Sequence, residues 1–328
     1  MKLYFLTPDQ SSLAAKDCTM LHGIKSDLLG RHGHREAADP ESADALILHE
    51  EFSFKEWRYV ARLLKDKLVG RYPNKVYTIN TDDCANGLLR GVYTSLPRCR
   101  YNAQIHGVVP YASFPNQAVL ERRVEPRPQP KYLGTWRGNT KSNRKLRNQF
   151  LKVCQDSPVF LAETTASWLN HDISEKHHYV DVLLSGRFSL CPAGWAAVSF
   201  RIYESMALGV CPVIIADEFV PPNGPVWNDF SIRIPESDVP NLKAILEGFS
   251  DSYLEMGQKA KQAWEQYFCP ERVNRYYSDA LLACIRTGLN TGSAGREVAR
   301  WKSFMTYWSN NWTLPQRFMV KVGSLTDK

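Results

Sequence analysis

The feature that most constrains the fold is a strand–helix–strand pattern over residues 187–217. An apolar run at 188–191 ends at a Pro-Ala-Gly turn, a segment with helical spacing follows, and a second apolar run at 210–216 ends at Asp217. Parallel strands need a crossover connection of this length, so the pattern favours a parallel sheet. It therefore predicts an open α/β sheet whose ligands bind at the carboxyl ends of its strands.

The turn after the first of these strands predicts an anion site. The first turn of a helix leaves backbone N–H groups without intrahelical partners, and the helix dipole favours negative charge there. Arg201 lies within the first turns of the predicted helix and would add a fixed positive charge. Together these features predict a ligand that carries phosphate.

Composition limits the classes of protein that fit this pattern. A chain of 328 residues is long enough for about two domains, and 44% hydrophobic with 23% charged residues is ordinary for a globular protein. The net charge of +7 favours anionic small molecules or an acidic membrane surface over nucleic acid as a partner. The eight cysteines are scattered without a Cys-x-x-Cys pair, which favours a reduced, cytoplasmic compartment over a disulfide framework.

Short apolar runs alternate with helix-length segments through both halves of the chain, which indicates two parallel sheets. Further strands are predicted, in order, at residues 2–6, 43–49, 75–80, 104–110, 132–136, 159–163 and 230–234. The charged stretch 121–130 closes on three alternating prolines that cannot enter a sheet interior, so it predicts a domain boundary. The expected domains are 1–125 and 126–290, both Rossmann-like and facing a cleft, followed by a tail at 291–328.

The tail is rich in aromatic and basic residues between 296 and 322. One interpretation is a helix that packs back on the other domain, which is the commoner use of such a face. The other is a peripheral membrane contact, with rings at headgroup level and bases on acidic lipid. No apolar run is long enough to span a membrane, and the N-terminal run at 3–6 is too short for a signal peptide.

Residues 187–246 carry an ordered set of motif positions. The pattern is Cys-Pro at a strand end, a glycine, Ser-x-Arg-x-x-Glu, Gly-x-x-Pro-Val-Ile with an acid after it, then Trp, Phe-Ser and Asp-x-x-x-Leu. The positions that supply it are Cys191, Pro192, Gly194, Ser199, Arg201, Glu204, Gly209, Pro212, Val213, Ile214, Asp217, Trp227, Phe230, Ser231, Asp238 and Leu242. This pattern resembles the exostosin family, glycosyltransferase family 47, and convincing likeness covers roughly residues 130–270.

The resemblance implies a GT-B glycosyltransferase, with two Rossmann-like domains and inversion at the anomeric carbon. The donor would be a nucleotide sugar, usually UDP-linked, bound mainly by the C-terminal domain. The acceptor would be a glycan, a polysaccharide or a lipid-linked saccharide. Animal members look like Golgi proteins with an anchor and a stem; this sequence shows neither, so we expect a compact relative of the bacterial or viral type.

The expected donor site follows from the chemistry of the leaving diphosphate, whose developing charge needs cations and oriented N–H groups. Arg201 is the first candidate, with short-range donors from Ser199 and the turn at Gly194, and Glu204 would accept from the ribose hydroxyls. The alternative is a surface ion pair between Arg201 and Glu204 at i,i+3.

A second phosphate contact is expected at Arg137, which follows a predicted strand, with Lys141 nearby. The alternative for this region is a solvated basic helix face. For three basic residues we favour that alternative: Arg144, Lys145 and Arg147.

Inverting transfer by direct displacement needs one general base on the acceptor side. Two acidic strand ends in the first domain compete for the role: Asp82 with Asp83, which we place slightly ahead, and Glu50 with its neighbour Glu51. The alternative for each acid is a helix cap or first-turn carboxylate. No cofactor or metal is expected, because the sequence has no Asp-x-Asp pair of the kind that metal-dependent transferases use.

Two other functions fit the same sequence. One is a GT-B transferase that uses a GDP-sugar, as the α1,3-fucosyltransferases do. The other is a non-catalytic carbohydrate-binding protein on the same fold, against which retention of both Arg201 and Glu204 speaks.

Overall fold

The fold was obtained as a computed structural model, which describes residues 1–31, 33–50, 58–83, 86–111, 116–166, 172–289 and 293–304. The chain divides into two compact units. The first comprises Met1–Val109 and the described residues from Asn274 onward, and the second comprises Pro110–Val273.

The first unit is built on a six-stranded, all-parallel sheet. Its strands are β1 (Lys2–Phe5), β2 (Arg35–Glu36), β3 (Ala45–His49), β4 (Val76–Asn80), β5 (Arg90–Tyr93) and β6 (His106–Val108). Its helices are α1 (Thr19–Arg31), α2 (Tyr59–Lys65), most of α9 (Pro270–Leu289), and α10 (Ala294–Lys302). The strand order is β2-β1-β3-β4-β5-β6. All residues of β4 are buried, as expected for a central parallel strand covered on both faces.

The second unit is built on a five-stranded parallel sheet. Its strands are β7 (Tyr132–Gly138), β8 (Phe160–Thr164), β9 (Gly186–Pro192), β10 (Cys211–Ile215) and β11 (Ile232–Arg233). Its helices are α3 (Gln117–Arg122), α4 (Arg144–Gln155), α5 (Ile173–Leu184), α6 (Phe200–Ala207), α7 (Leu242–Glu247) and α8 (Tyr253–Ala263), and a π-helical segment spans Trp264–Phe268. The order is β11-β10-β9-β7-β8, so the chain leaves β7 in one direction and returns to its other side at β9.

Two separate parallel sheets flanked by helices confirm the expected α/β class. The predicted strand–helix–strand unit is β9–α6–β10, and all five residues of β10 pair in parallel with β9. The point at which the strand order reverses lies between β7 and β9. In open sheets of this kind, ligands bind in the crevice at that switch point.

The structural division differs from the boundary expected at residues 125–126. The proline stretch is tied into the second unit by Arg127, which donates hydrogen bonds to the carbonyls of Gly209 at 3.0 Å and Gly186 at 2.6 Å. Its guanidinium also lies 5.5 Å from the ring centre of Tyr253. Prolines exclude a segment from a sheet interior, but here a neighbouring arginine fixes that segment against the strand ends. The compact unit that contains this segment begins upstream of it, at Pro110.

The described part of the tail packs on the first unit. Trp301 on α10 is completely buried among core residues that include Leu46 and Leu48. Its indole N–H donates to Glu297 at 3.2 Å, and Glu297 also pairs with the buried Arg90 at 3.2 Å. Residues 305–328, which hold the remaining tail aromatics, lie outside the described residues. Within the described part of the chain, no helix has both the length and the apolarity to cross a membrane.

Trp301→Ala is expected to destabilise the protein by about 3–5 kcal/mol, because it empties a fully buried volume and removes a partner of Glu297. Urea unfolding followed by fluorescence and circular dichroism measures the change. Phe304→Ala is the matched control, since Phe304 is 71% exposed and its loss should change stability by less than about 0.5 kcal/mol. Equal effects of the two substitutions would contradict docking of α10.

Candidate functional site

Helix α6 brings Arg201 to the switch point of the second sheet. Ser199 caps the helix and accepts a hydrogen bond from the Arg201 N–H at 3.3 Å. Gly209 takes a φ of +68° just beyond its end, a conformation that suits glycine. The Arg201 side chain is not on the surface, since the residue is only 8% exposed.

The guanidinium of Arg201 is held against the end of β7. It donates a hydrogen bond to the carbonyl of Arg137, the next-to-last residue of that strand. Its Cζ lies 5.7 Å from the ring centre of Trp136 and 5.5 Å from that of Tyr179. These contacts fix a positive charge at the crevice between β7 and β9.

Glu204, one helical turn after Arg201, is half-buried and receives a hydrogen bond from the Tyr179 hydroxyl. Burial raises the pKa of Glu204, while the Tyr179 hydrogen bond and the Arg201 charge oppose that rise. The alternative interpretation, a surface ion pair between Arg201 and Glu204, is wrong. The two side chains form no direct ion pair, and Arg201 points into the sheet edge. Both residues line the same cleft.

Arg147 is a site residue that the sequence reading missed. We predicted a solvated basic helix face, which is correct for the exposed Arg144 and Lys145 but wrong for Arg147. Its side chain donates to the carbonyls of Ala193 at 3.1 Å, Pro192 at 3.4 Å and Asn139, and so bridges the ends of β7 and β9.

A sequence signal for this orientation existed. Arg147 precedes Phe150 by three residues and Leu151 by four, and both lie on the buried face of α4. Residues at these spacings share one helix face, so the arginine turns inward with them.

These side chains enclose a cleft of about 240 Å³ that lies entirely within the second unit. Its wall contains Arg137, Arg147, Arg201, Lys176, Glu175, Glu204, Asn116, Asn139, Thr165, Tyr179, Ser199, Phe200 and Gly138. Three arginines and a lysine against two carboxylates give the cleft an excess of positive charge, which suits an anionic ligand.

Three other residues expected in the donor site are less well placed to bind an anion. Arg137 lines the cleft, but its guanidinium pairs with both Glu163 and Glu175, so its charge is already neutralised. Lys141 is exposed, begins a short 3-10 turn, and is not part of the cleft wall. The N–H of Gly194 donates to the carbonyl of Ala196 at 3.1 Å, so that backbone donor is occupied.

The acids of the first unit lie at its own carboxyl edge. Glu50 follows β3 and is 4% exposed, and its Oε2 accepts hydrogen bonds from Thr78 at 2.9 Å and Asn80 at 2.8 Å. No described residue donates to its Oε1. Burial is the main cause that raises the pKa of Glu50 to about 8. Asp82 and Asp83 are half-buried in the turn after β4.

No three histidine, cysteine, aspartate or glutamate side chains come together as a possible metal site in the residues for which a structure is described. Metal independence remains a prediction that needs its own measurement.

The fold and the site together define a class: an α/β protein of two parallel sheets, with an arginine-lined cleft at the switch point of the second sheet. The chain belongs to the exostosin GT47 domain family, which matches residues 30–249. This finding confirms the resemblance read from the motif positions.

Three plant proteins illustrate the similarity to relatives. A probable beta-1,4-xylosyltransferase of Arabidopsis thaliana is 42% identical over 96 residues, which cover 28% of this chain and 20% of the relative. A probable glucuronosyltransferase of Oryza sativa subsp. japonica matches with the same identity, length and coverage. A probable glycosyltransferase of Arabidopsis thaliana is 36% identical over 100 residues, or 27% of this chain and 19% of the relative. The matched stretch thus spans about a fifth of each relative's length.

Proposed function

We propose that this protein is an inverting, metal-independent glycosyltransferase that moves a pentosyl or hexosyl unit from a nucleotide sugar, UDP-linked, to a glycan, polysaccharide or lipid-linked acceptor. The observation that carries the proposal is the buried Arg201 at the switch point, with Glu204 one turn further along α6. Membership of the exostosin GT47 domain family and similarity to a probable xylosyltransferase and a probable glucuronosyltransferase of plants support it.

The second unit would bind the donor. As the bond between the anomeric carbon and the phosphate oxygen breaks, the electron pair leaves with the nucleoside diphosphate. Arg201 is fixed in place before the reaction and would stabilise that developing charge. Glu204, oriented by Tyr179, would accept hydrogen bonds from the ribose hydroxyls.

The first unit would supply the general base. An acceptor hydroxyl attacks the anomeric carbon as its proton passes to a carboxylate, so the sugar is transferred with inversion. Glu50 is the first candidate for this base, ahead of Asp82 and Asp83. Its carboxyl is buried, one oxygen has no hydrogen-bond donor among the described residues, and its pKa of about 8 lies close to neutral pH.

The cytoplasmic location and a peripheral membrane contact through residues 296–322, in which the buried Trp301 would take no part, are further proposals. Vesicle flotation with and without anionic lipid tests the contact. Flotation of the protein with the vesicles that depends on anionic lipid would support the contact, and no lipid dependence would reject it.

Calorimetric titration of UDP and of GDP in the presence of EDTA tests the donor class and the metal independence. Binding of UDP that survives chelation is the expected result. Preference for GDP would replace the UDP assignment with a GDP-sugar donor, and binding lost on chelation but restored by a divalent cation would reject metal independence. A folded protein that binds neither nucleotide would contradict a nucleotide-sugar site.

A further inference from the structure

Two arginines in the cleft share one aromatic ring. The Cζ atoms of Arg147 and Arg201 lie 5.9 Å and 5.7 Å from the ring centre of Trp136. Trp136 is buried, with 1% of its surface exposed, and belongs to β7, so its position is fixed by the sheet. The two guanidinium groups come from different helices, α4 and α6, and converge at the switch point.

The hydrogen bonds of this pair go to neutral backbone carbonyls, although the charge of Arg201 also acts on the carboxyl of Glu204. Arg147 donates to three backbone carbonyls and Arg201 to one, and neither has a carboxylate of the described residues within ion-pair distance. Arg137, in the same cleft, pairs with two glutamates. Of the three arginines in the cleft wall, Arg137 is thus neutralised by carboxylates, whereas Arg147 and Arg201 form no ion pair with a described residue and can offer their charge to a ligand.

Two like charges held together away from water are unfavourable unless an anion offsets them. Burial, and after it the charge of Arg201, lowers the pKa of Arg147 to about 10, so it remains a cation near neutral pH. Guanidinium groups match phosphate oxygens with paired N–H donors. A ligand with two adjacent phosphates would compensate both charges, whereas one phosphate would compensate them only in part.

We propose that Arg147 and Arg201 bind the two phosphates of a nucleoside diphosphate, and that Arg147 sets the preference for a diphosphate over a monophosphate. The inference rests on the proposed function and deepens it. Because the same pair binds the diphosphate product after transfer, the free nucleoside diphosphate competes with the donor.

The test measures dissociation constants for UDP and UMP by calorimetry on the full chain. The wild type is expected to bind UDP at least about tenfold more tightly than UMP. Arg147→Lys keeps a cation but loses the paired donors, and should weaken UDP binding about tenfold while changing UMP binding less than about threefold. Arg144→Ala is the control, since Arg144 is exposed on the same helix.

Each outcome separates this inference from the proposed function. If Arg147→Lys binds UDP as the wild type does, the role of Arg147 is rejected while the nucleotide site stands. Equal loss of UDP and UMP affinity would make Arg147 a structural residue and reject it as a phosphate contact. A wild type that binds no nucleotide would remove the proposed function and this inference with it. Arg147→Ala, checked for folding by its thermal unfolding curve, should lose more UDP affinity than Arg147→Lys; equal or smaller loss would count against the inference.

Discussion

Arg201→Ala is expected to lower kcat/KM for sugar transfer by about 10²–10³-fold, the loss typical when one fixed donor to a developing anion is removed. The reason is the position of its guanidinium, which the Arg137 carbonyl and the rings of Trp136 and Tyr179 hold at the switch point. Water that fills the vacated space would reorganise during the reaction and stabilise the leaving diphosphate less well. Steady-state release of nucleoside diphosphate in the presence of an acceptor measures the effect.

Two controls make this result specific. Arg201→Lys should recover part of the lost rate, because it restores the charge but not the paired donors. Lys243→Ala removes a positive charge from an exposed position in the same unit and should leave kcat/KM unchanged. An Arg201→Ala protein that is folded and transfers sugar at the wild-type rate would contradict the donor site.

Glu50→Gln is expected to stabilise the protein at alkaline pH and to abolish most of its turnover. The folded-state pKa of about 8 lies above the ordinary value of 4.5, so the native carboxyl holds a proton that the unfolded chain releases. The stabilisation from that proton is full below pH 4.5 and is lost as pH rises through about 8. Glutamine cannot ionise, so the variant avoids a loss on the order of 5 kcal/mol.

Unfolding free energies of the wild type and of Glu50→Gln at pH 5 and pH 9 measure the expected stabilisation at alkaline pH. The two proteins should differ little at pH 5, and the variant should be the more stable at pH 9. Glu41→Gln is the control, because the side chain of Glu41 is 79% exposed and its loss should not change the pH dependence. A variant less stable than the wild type at pH 9 would contradict the burial of an ionisable Glu50.

The rate of sugar transfer measures the expected loss of catalysis in Glu50→Gln. A general base contributes about 10²–10⁴-fold, so Glu50→Gln should lose a factor in that range. Wild-type kcat should also rise with pH through about 8, since the base acts when deprotonated. Unchanged turnover in Glu50→Gln together with Asp82→Asn and Asp83→Asn would reject the placement of the base in this unit.

The parts of the fold that follow from local sequence were predictable. The β9–α6–β10 unit has apolar runs of strand length, a serine at the helix start and a glycine after its end, and each of these acts within a few residues. Arg201 and Glu204 could be assigned to the cleft for the same reason. Because Arg201 and Glu204 are three residues apart on one helix, they lie on the same helix face whatever tertiary contacts form.

The rest depends on partners that are distant in sequence. The spacing of Arg147 from Phe150 and Leu151 indicates an inward orientation, but the carbonyls that hold its guanidinium belong to Pro192 and Ala193, 45 and 46 residues away. Arg137 is predicted as a phosphate contact and does line the cleft, but its ion pairs with Glu163 and Glu175 join residues 26 and 38 positions apart in the sequence. In both cases the sequence shows a positively charged side chain. Whether that charge meets a carboxylate or a carbonyl depends on which strands the fold places side by side.

The measurement that tests the central claim most directly is product analysis with UDP-sugars, GDP-sugars and oligosaccharide acceptors in EDTA. Mass spectrometry would follow the acceptor while the released nucleotide is quantified. The account predicts an acceptor heavier by one pentosyl or hexosyl unit, with one UDP released for each sugar transferred. Tight UDP binding with no release from any UDP- or GDP-sugar, with or without acceptor, would contradict it and make this a carbohydrate-binding protein on a transferase fold.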